Sequence, residues 1–277
     1  MLHGFAGHLL SETFLETLLA GAARSEADEQ ACRKLIAWRK VSWGLGPASS
    51  LRAMLNAGAE PLAAALGLGC PTSVEQSERV LAASLHDGHR AIALLVTSWG
   101  EPLDPLWREA VTEAIQRMAP WCLLFNGTHL RIVDAGRLFT RRYVEFDLDQ
   151  TLDDARAFAA FRTVMSAHSL QELVNASDRH ASGVCRSLKA GVLAASTDVL
   201  AALTGPKLRT AEHLDDAFEQ ALTIVYRIVF LLFAEARALV PVWHPVYRES
   251  YSLDALGAAV ERPHGALGLW DALRAIA

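Results

Sequence analysis

The sequence predicts an α+β protein: a mixed α/β core preceded by a helical lead-in and followed by an all-helical half. Three observations predict it. The first is an apolar run, Ala91–Trp99, too short for a lone helix and ended by Gly100 and Pro102, with a helical segment after it over Asp104–Met118. The second is a pair of strand-like runs, Trp121–Phe125 and His129–Asp134, separated by Asn126-Gly127, a dipeptide suited to the tight turn of a hairpin. A closing strand follows over Arg142–Leu148. The third is the change to helical periodicity from Asp153 onward. Strand, helix and hairpin in that order form the core of an α/β or α+β domain that handles nucleotides or DNA.

Taken in order, Ser11 caps an amphipathic helix over Ser11–Ala23, with Phe14, Leu15, Leu18 and Leu19 on one face. A second helix covers Glu26–Trp43 and breaks at Gly44-Leu45-Gly46-Pro47. Shorter helices follow over Leu51–Asn56, capped by Ser49 or Ser50, and over Glu60–Leu66. Gly44-x-Gly46 and Gly67-x-Gly69 follow no strand and lack the rest of a phosphate-binding fingerprint, so they read as helix punctuation. Glu78–Leu85 reads as a strand that turns through His86-Asp87-Gly88 into the Ala91–Trp99 strand.

In the second half, Asp153 and Asp154 open a helix, where acids suit the dipole, and Phe158, Phe161, Val164 and Met165 form its buried stripe. Helices then cover Leu170–Val174, Arg179–Leu203, Thr210–Asp216 leading into Ala217–Leu239, and Leu253–Val260. Trp243–Tyr251 reads as an aromatic loop in which His244 and Tyr247 pack around Pro245. Leu267–Ala277 reads as a helix without a stop signal, which predicts a chain continuing beyond Ala277. The division predicted is residues 1–152, with the lead-in over 1–70, and residues 153–277.

A chain of 277 residues, 52% hydrophobic and 21% charged, buries a real core and has room for two domains. The net charge of −5 argues against a surface coated for nucleic acid, though a local basic patch can still act. The cysteines Cys32, Cys70, Cys122 and Cys185 show no C-x-x-C spacing and read as reduced thiols. The N-terminus lacks a basic n-region and carries Glu12 and Glu16 in its apolar part, so it does not read as a signal peptide. Leu222–Ala234, the most apolar run, is interrupted by Arg227 and reads as a buried core helix. A soluble, cytoplasmic protein without membrane contact is expected.

The phrase Trp121-Cys-Leu-Leu-Phe-Asn-Gly-Thr-His-Leu-Arg-Ile-Val-Asp134 resembles the N-terminal nuclease-like region of large restriction–modification proteins. These join a PD-(D/E)xK-type fold to an adenine-specific DNA methyltransferase, as in type IIG enzymes and the related BREX and DISARM methyltransferases. The family hairpin reads W-x-x-L-x-N-G-x-x-W-R-L-x-D. Trp121, Leu124, Asn126, Gly127, Arg131 and Asp134 match it, with His129-Leu130 in place of the aromatic step. Tyr226-Arg-Ile-Val-Phe-Leu-Leu-Phe-Ala-Glu-Ala-Arg-Ala-Leu-Val-Pro241, with Tyr247-Arg-Glu-Ser-Tyr-Ser-Leu253, is similar to the helical connector of the same proteins. The resemblance implies a restriction-endonuclease-like core over the first part and an all-α connector over the second. It also implies a parent that methylates adenine, acts on DNA and works with defence-system subunits.

A PD-(D/E)xK nuclease needs an acid on one strand and E-x-K on the next. Period-2 alternation then places the acid and the lysine on one face to hold Mg²⁺ and activate water. Counted back from Trp99, that position falls at Leu95-x-Thr97. Leucine binds no divalent ion and threonine supplies no ammonium, so the core is expected to be degenerate and the segment non-catalytic. The alternative is an active Mg²⁺-dependent endonuclease with relocated carboxylates, Glu78 with Glu109 and Glu113, the latter two sharing a helix face with Gln116 toward the sheet.

Other constellations are weaker. Glu145, Asp147 and Asp149 alternate along one strand face, and a solvated outer face explains them more simply than a metal site. His86, Asp87 and His89 read as a solvated turn, so no metal site is expected. Ser177, Asp178 and His180 have the residue types of a hydrolase triad, but no G-x-S-x-G elbow surrounds the serine, and they are discounted. Arg131, Arg137, Arg141 and Arg142 form the densest basic cluster and are the candidates for DNA phosphate. No Gly-rich cofactor loop and no N-P-P-Y or D-P-P-Y tetrapeptide occurs, so S-adenosylmethionine is expected only in a downstream domain. The expected function is a non-catalytic module that positions DNA or assembles partners for a methyltransferase. A purely structural interaction domain is the third reading.

Overall fold

The computed structural model describes residues 2–20, 26–88, 90–137, 140–166, 170–205, 211–237, 239–260, 271 and 274. The fold is mixed α+β, with one seven-stranded sheet in the order β1 (Phe5–Gly7), β7 (Tyr143–Asp147), β6 (His129–Asp134), β5 (Trp121–Phe125), β4 (Arg90–Val96), β3 (Leu81–Asp87), β2 (Thr72–Gln76). Two compact units divide the chain, Met1–Gly183 and Val184–Ala277. That boundary lies inside a long helix, whereas the sequence pattern placed the division at 152/153. The helix over Ala155–Met165 explains the difference: its Ala160, Phe161 and Val164 sit in the core of the first unit.

In the first unit, β1 (Phe5–Gly7) precedes α1 (Glu12–Ala20) and α2 (Glu26–Ser42). A continuous helical stretch follows: α3 (Leu51–Ala53), a π-helical segment (Met54–Ala59) and α4 (Glu60–Ala65). Ser50 caps it by accepting from the Ala53 N–H. The π segment sits where the buried Trp38 indole donates to the Gly58 carbonyl at 2.8 Å.

The sheet then builds as β2 (Thr72–Gln76), β3 (Leu81–Asp87) and β4 (Arg90–Val96). A 3-10 turn (Asp104–Leu106) leads into α5 (Trp107–Gln116), and β5 (Trp121–Phe125), β6 (His129–Asp134) and β7 (Tyr143–Asp147) complete it. Every neighbouring pair is antiparallel except β4–β5, which runs parallel, Ala93 opposite Cys122 through Val96 opposite Phe125. That join needs a crossover, and α5 provides it.

Both faces of the sheet are covered, so β5 reads apolar at every position. Leu94, Val96, Leu123, Phe125, Leu130, Ile132, Val144 and Phe146 point to the side of α1, α2, α4 and α7 (Ala155–Met165). Ala93, Leu95, Cys122, Leu124 and Val133 point to the side of α5, whose Ala110 and Ala114 bring its backbone close. Between β7 and α7 lies α6 (Leu148–Asp153), capped by Asp147.

The last helices are α8 (Leu170–Thr204), which crosses the unit boundary, α9 (Ala211–Ala236), α10 (Pro245–Ser250) and α11 (Leu253–Val260). Within the second unit, Glu235 of α9 accepts from Tyr247 Oη and from the Leu253 N–H, both at 3.0 Å, which ties α10 and α11 to α9. Two described helices, Leu170–Thr204 and His213–Ala236, are long and apolar enough to cross a membrane by length and composition.

Several boundaries depart from the sequence pattern. Glu78 lies in the bend between β2 and β3, because β3 starts at Leu81. β1 and β2 carry no alternation to announce them, being short edge strands. The apolar run over Leu222–Ala234 is helical but buried on one side only, with Leu222, Phe230 and Phe233 exposed. The stretch Trp243–Tyr251 contains α10 rather than a plain loop, with Pro245 at its first position, where a missing N–H costs nothing. The predicted breaks around Asp178 do not occur, since α8 runs through. The predicted helix over 267–277 lies outside the described residues except for 271 and 274.

Candidate functional site

The two positions that the resemblance marks for metal chemistry, Leu95 and Thr97, lie at the end of β4, where the chain leaves the sheet toward α5. Leu95 is 1% exposed and packs into the apolar cluster under α5. Thr97, 3% exposed, donates its hydroxyl to the Arg79 carbonyl at 3.3 Å, while its N–H donates to the Phe125 carbonyl at 2.9 Å. Both side chains are consumed by packing and local hydrogen bonds.

The relocated acids are not arranged as the sequence suggested. The residues of α5 that face the sheet are Ala110 and Ala114; Gln116 is exposed and Glu109 half-buried. Glu113 forms an ion pair with Arg117, whose guanidinium also reaches the Ser73 carbonyl (3.4 Å) and Glu75 (3.6 Å). That arginine fastens the end of α5 to the edge strand β2. Glu78 is exposed in its bend. Among the described residues, no three His, Cys, Asp or Glu side chains converge as metal ligands. His86 lies within β3, opposite Ala91 of β4, and is exposed, so the turn begins later than the His86-Asp87-Gly88 of the sequence pattern; His89 and the Asp87 side chain lie outside the described residues.

The three acids at the end of β7 do not share a face. Glu145 pairs with Arg131. Asp147 ends the strand and caps α6, accepting from the Gln150 N–H at 2.9 Å. Asp149, already in the helix, pairs with Arg39 at 3.1 Å, which also holds Asp153 at 2.6 Å. The strand ends two residues before Asp149, so its alternation stops there.

Three of the four candidate phosphate-binding arginines are engaged within the fold. Arg131 is 6% exposed at its side chain; its Nε donates to Glu145 at 2.5 Å, Nη1 to Asp104 at 2.8 Å, and its Cζ lies 4.1 Å from the centre of the Tyr143 ring. Arg142 meets both oxygens of Asp178, at 2.6 and 2.9 Å, and donates to the Leu9 carbonyl at 2.8 Å. Arg137 adds a contact to the same carboxylate at 3.1 Å. The Arg142 and Arg137 guanidiniums hold Asp178 below the usual carboxylate range, against the opposing effect of its partial burial. Arg141, in the left-handed region at φ 45°, is exposed.

The neighbours of Asp178 have structural roles as well. Ser177 is 3% exposed and accepts the Ser11 N–H at 2.8 Å, and His180 lies 5.7 Å from the Phe14 ring. They anchor α8 to the start of α1 and form no relay.

The residues that carry the family resemblance are likewise scaffold. Asn126, 4% exposed, accepts the N–H groups of Thr128 and His129 at 3.0 and 2.7 Å, and donates from Nδ2 to the Glu101 carbonyl at 2.9 Å. The tight turn spans Asn126 to His129, so its central residues are Gly127 and Thr128, one step later than the dipeptide suggested. Gly127 stands at φ +89°, and a Cβ there would fall 2.3 Å from Cε3 of Trp99. Asp134 caps the bend after β6 by accepting from the Gly136 and Arg137 N–H groups at 3.0 and 3.2 Å. Trp121 and Leu124 are core.

Sequence reasoning missed Arg39, Arg117 and Glu235. Only the Glu113–Arg117 pair had a readable signal, its spacing of one helical turn. A cavity of about 510 Å³ opens between α1, α2 and α7, lined by Glu16, Cys32, Arg156, Phe158 and Arg162 among others. Comparisons with protein-family models, with curated proteins and with solved structures found no match to this chain.

Proposed function

We propose that this chain is a non-catalytic positioning and assembly module of a restriction–modification or phage-defence system built around an adenine-specific DNA methyltransferase. Its first unit is read as a degenerate PD-(D/E)xK-like core and its helical part as the connector. The observation that carries the reading is the burial of Leu95 and Thr97 at the positions where such a nuclease needs its acid and lysine. An antiparallel β3–β4 pair, a crossover helix, a parallel β4–β5 pair and a tight hairpin support the nuclease-like frame. That support is one of strand order, not of chemistry.

The ion pairs of Arg131, Arg137 and Arg142 favour assembly over direct phosphate binding, because each pair must be broken before its guanidinium can meet DNA. DNA is therefore reached mainly through the methyltransferase, with the exposed Arg141 as this chain's own contributor. S-adenosylmethionine belongs to the methyltransferase, and Mg²⁺ belongs only to the rival endonuclease built on Glu78, Glu109 and Glu113. The setting is cytoplasmic, among defence-system subunits.

Incubation with supercoiled plasmid and Mg²⁺ tests the loss of chemistry. The expected result is no nicking above a Mg²⁺-free control; nicking that vanishes on Glu78→Ala or Glu109→Ala would overturn the proposal. Reading the genomic sequence past Ala277 for a Gly-rich cofactor loop and Asn-Pro-Pro-Tyr tests the methyltransferase link. A reading frame carrying neither removes that link.

A further inference from the structure

The second unit leaves one face of helix α9 uncovered. Helix α9 buries Ala217, Ala221, Val225, Leu231 and Ala234 on one side. On the other, Phe218, Leu222, Tyr226, Phe230 and Phe233 are between 42% and 73% exposed. Their spacing of three and four residues makes a continuous stripe along the helix. An uncovered aromatic stripe of this length is unusual for a soluble surface and marks an interaction site.

Of the charges on this stripe, Asp215 and Arg237 form a symmetric pair, whereas the exposed Glu219 has Phe233 as its counterpart. Asp215 and Arg237 stand equally far before and after Tyr226, about three turns in each direction, which returns both to the face of Tyr226. The Arg237 guanidinium lies over the Phe233 ring, 5.6 Å from its centre, so it borders the stripe. Leu222 and Phe230 also stand equally far from Tyr226. Tyr226, at 73% exposed, is the most exposed large hydrophobic side chain of the helix.

We propose that α9 is a homodimerisation element, pairing antiparallel with α9 of a second copy about a two-fold axis at Tyr226. The inference goes beyond the function proposed above and does not depend on it. A two-fold axis there brings Tyr226 against Tyr226, Leu222 against Phe230, and Asp215 of each copy against Arg237 of the other. The centre of the patch and its Asp215–Arg237 ends are thus self-complementary, the property a two-fold interface requires, while Phe233 meets the stem of Glu219. A parallel pairing would set Asp215 against Asp215 and Arg237 against Arg237, and is disfavoured. A bilayer would have to take up Asp215, Glu219 and Arg227 on the same exposed helix, each at a cost. Half-covered aromatic and leucine side chains at this number bury on the order of 1,000 Å² in total, the lower end for a specific dimer. The dimer is therefore weak and concentration-dependent.

Sedimentation of the full chain over a concentration series tests this, with far-UV circular dichroism confirming that each variant is folded. The expected result is a monomer–dimer equilibrium that Arg237→Asp shifts to monomer and that Asp215→Arg with Arg237→Asp restores. Tyr226→Cys, with Cys70→Ser and Cys185→Ser to silence the exposed thiols, is expected to give a self-crosslinked dimer on mild oxidation, whereas Leu214→Cys in the same background does not. A monomer at every concentration overturns the proposal. So does a dimer that ignores the charge reversal, or a monomer that binds phosphatidylcholine vesicles through the same stripe.

Discussion

Replacing Arg131 with alanine separates a scaffold arginine from a DNA-binding one. The side chain is 6% exposed and holds Glu145, itself 17% exposed, at 2.5 Å. Its second partner, Asp104, is 81% exposed, so that pair contributes at most about 1 kcal/mol. The stacking on Tyr143 at 4.1 Å adds about 1 kcal/mol. The larger cost is the Glu145 carboxylate left half-buried without its partner, which brings the expected loss to about 3–5 kcal/mol. For a unit of this size each kcal/mol shifts Tm by roughly 2–4 °C, so the first unit should melt about 6–20 °C below the parent. Urea unfolding followed by tryptophan fluorescence measures the loss. Arg131→Met combined with Glu145→Gln removes both charges and should recover most of the stability, giving a coupling energy of about 1–3 kcal/mol in the double-mutant cycle. An Arg131→Ala variant of unchanged stability but weakened DNA binding would refute the reasoning.

Gly127→Ala should destabilise the first unit by about 2–3 kcal/mol, since alanine is strained at φ +89° and its Cβ meets the Trp99 ring; urea midpoints check it. Asp178→Asn should cost about 1 kcal/mol at neutral pH after allowing for solvent screening, measured by thermal melts. Because Arg142 lowers the Asp178 pKa, the stabilisation is present above the ordinary carboxylate value near 4 and disappears as pH falls through the lowered value. The variant's stability should therefore vary less with pH in that acid window than the parent's. Burial pushes the Cys122 thiol up, with Glu113 adding to the effect, so a thiol reagent should modify the exposed Cys70 and Cys185 quickly and Cys122 only on unfolding.

The middle of the fold was legible because several signals agreed there. Trp121–Phe125 and His129–Asp134 are strands over the predicted residues, since unbroken apolar character, β-branched residues and a glycine turn point the same way. Length alone separated the apolar run at Ala91 from a helix, and β4 confirms the reading with its end at Val96. The edges were not legible. β2 is exposed at every position, so no alternation marks Thr72–Gln76, and its pairing comes from β3 rather than from its own pattern.

The candidate site was legible in residue type but not in partnership. Arginines at 131, 137 and 142 looked like a basic patch because Asp104, Glu145 and Asp178, which pair with them, are distant in sequence or assigned to other roles. A carboxylate brought in from α8 cannot be read from the local window around Arg142. The same limit hid Arg39, whose partners lie in α6.

Strand β1 has three residues, yet it closes the open side of β7, pairing Phe5 with Phe146 and Gly7 with Val144 across most of the first unit's length. Gly7 approaches so closely that a Cβ would sit 2.3 Å from the Tyr143 carbonyl oxygen. β7 carries Val144 and Phe146 toward the core and presents its remaining N–H and C=O groups to whatever lies beside it. With β1 gone, that row becomes a template for strands of other molecules. The first ten residues thus guard an edge as well as filling the core: a chain trimmed there should lose the buried Leu2, Leu9 and Leu10 together with its resistance to aggregation.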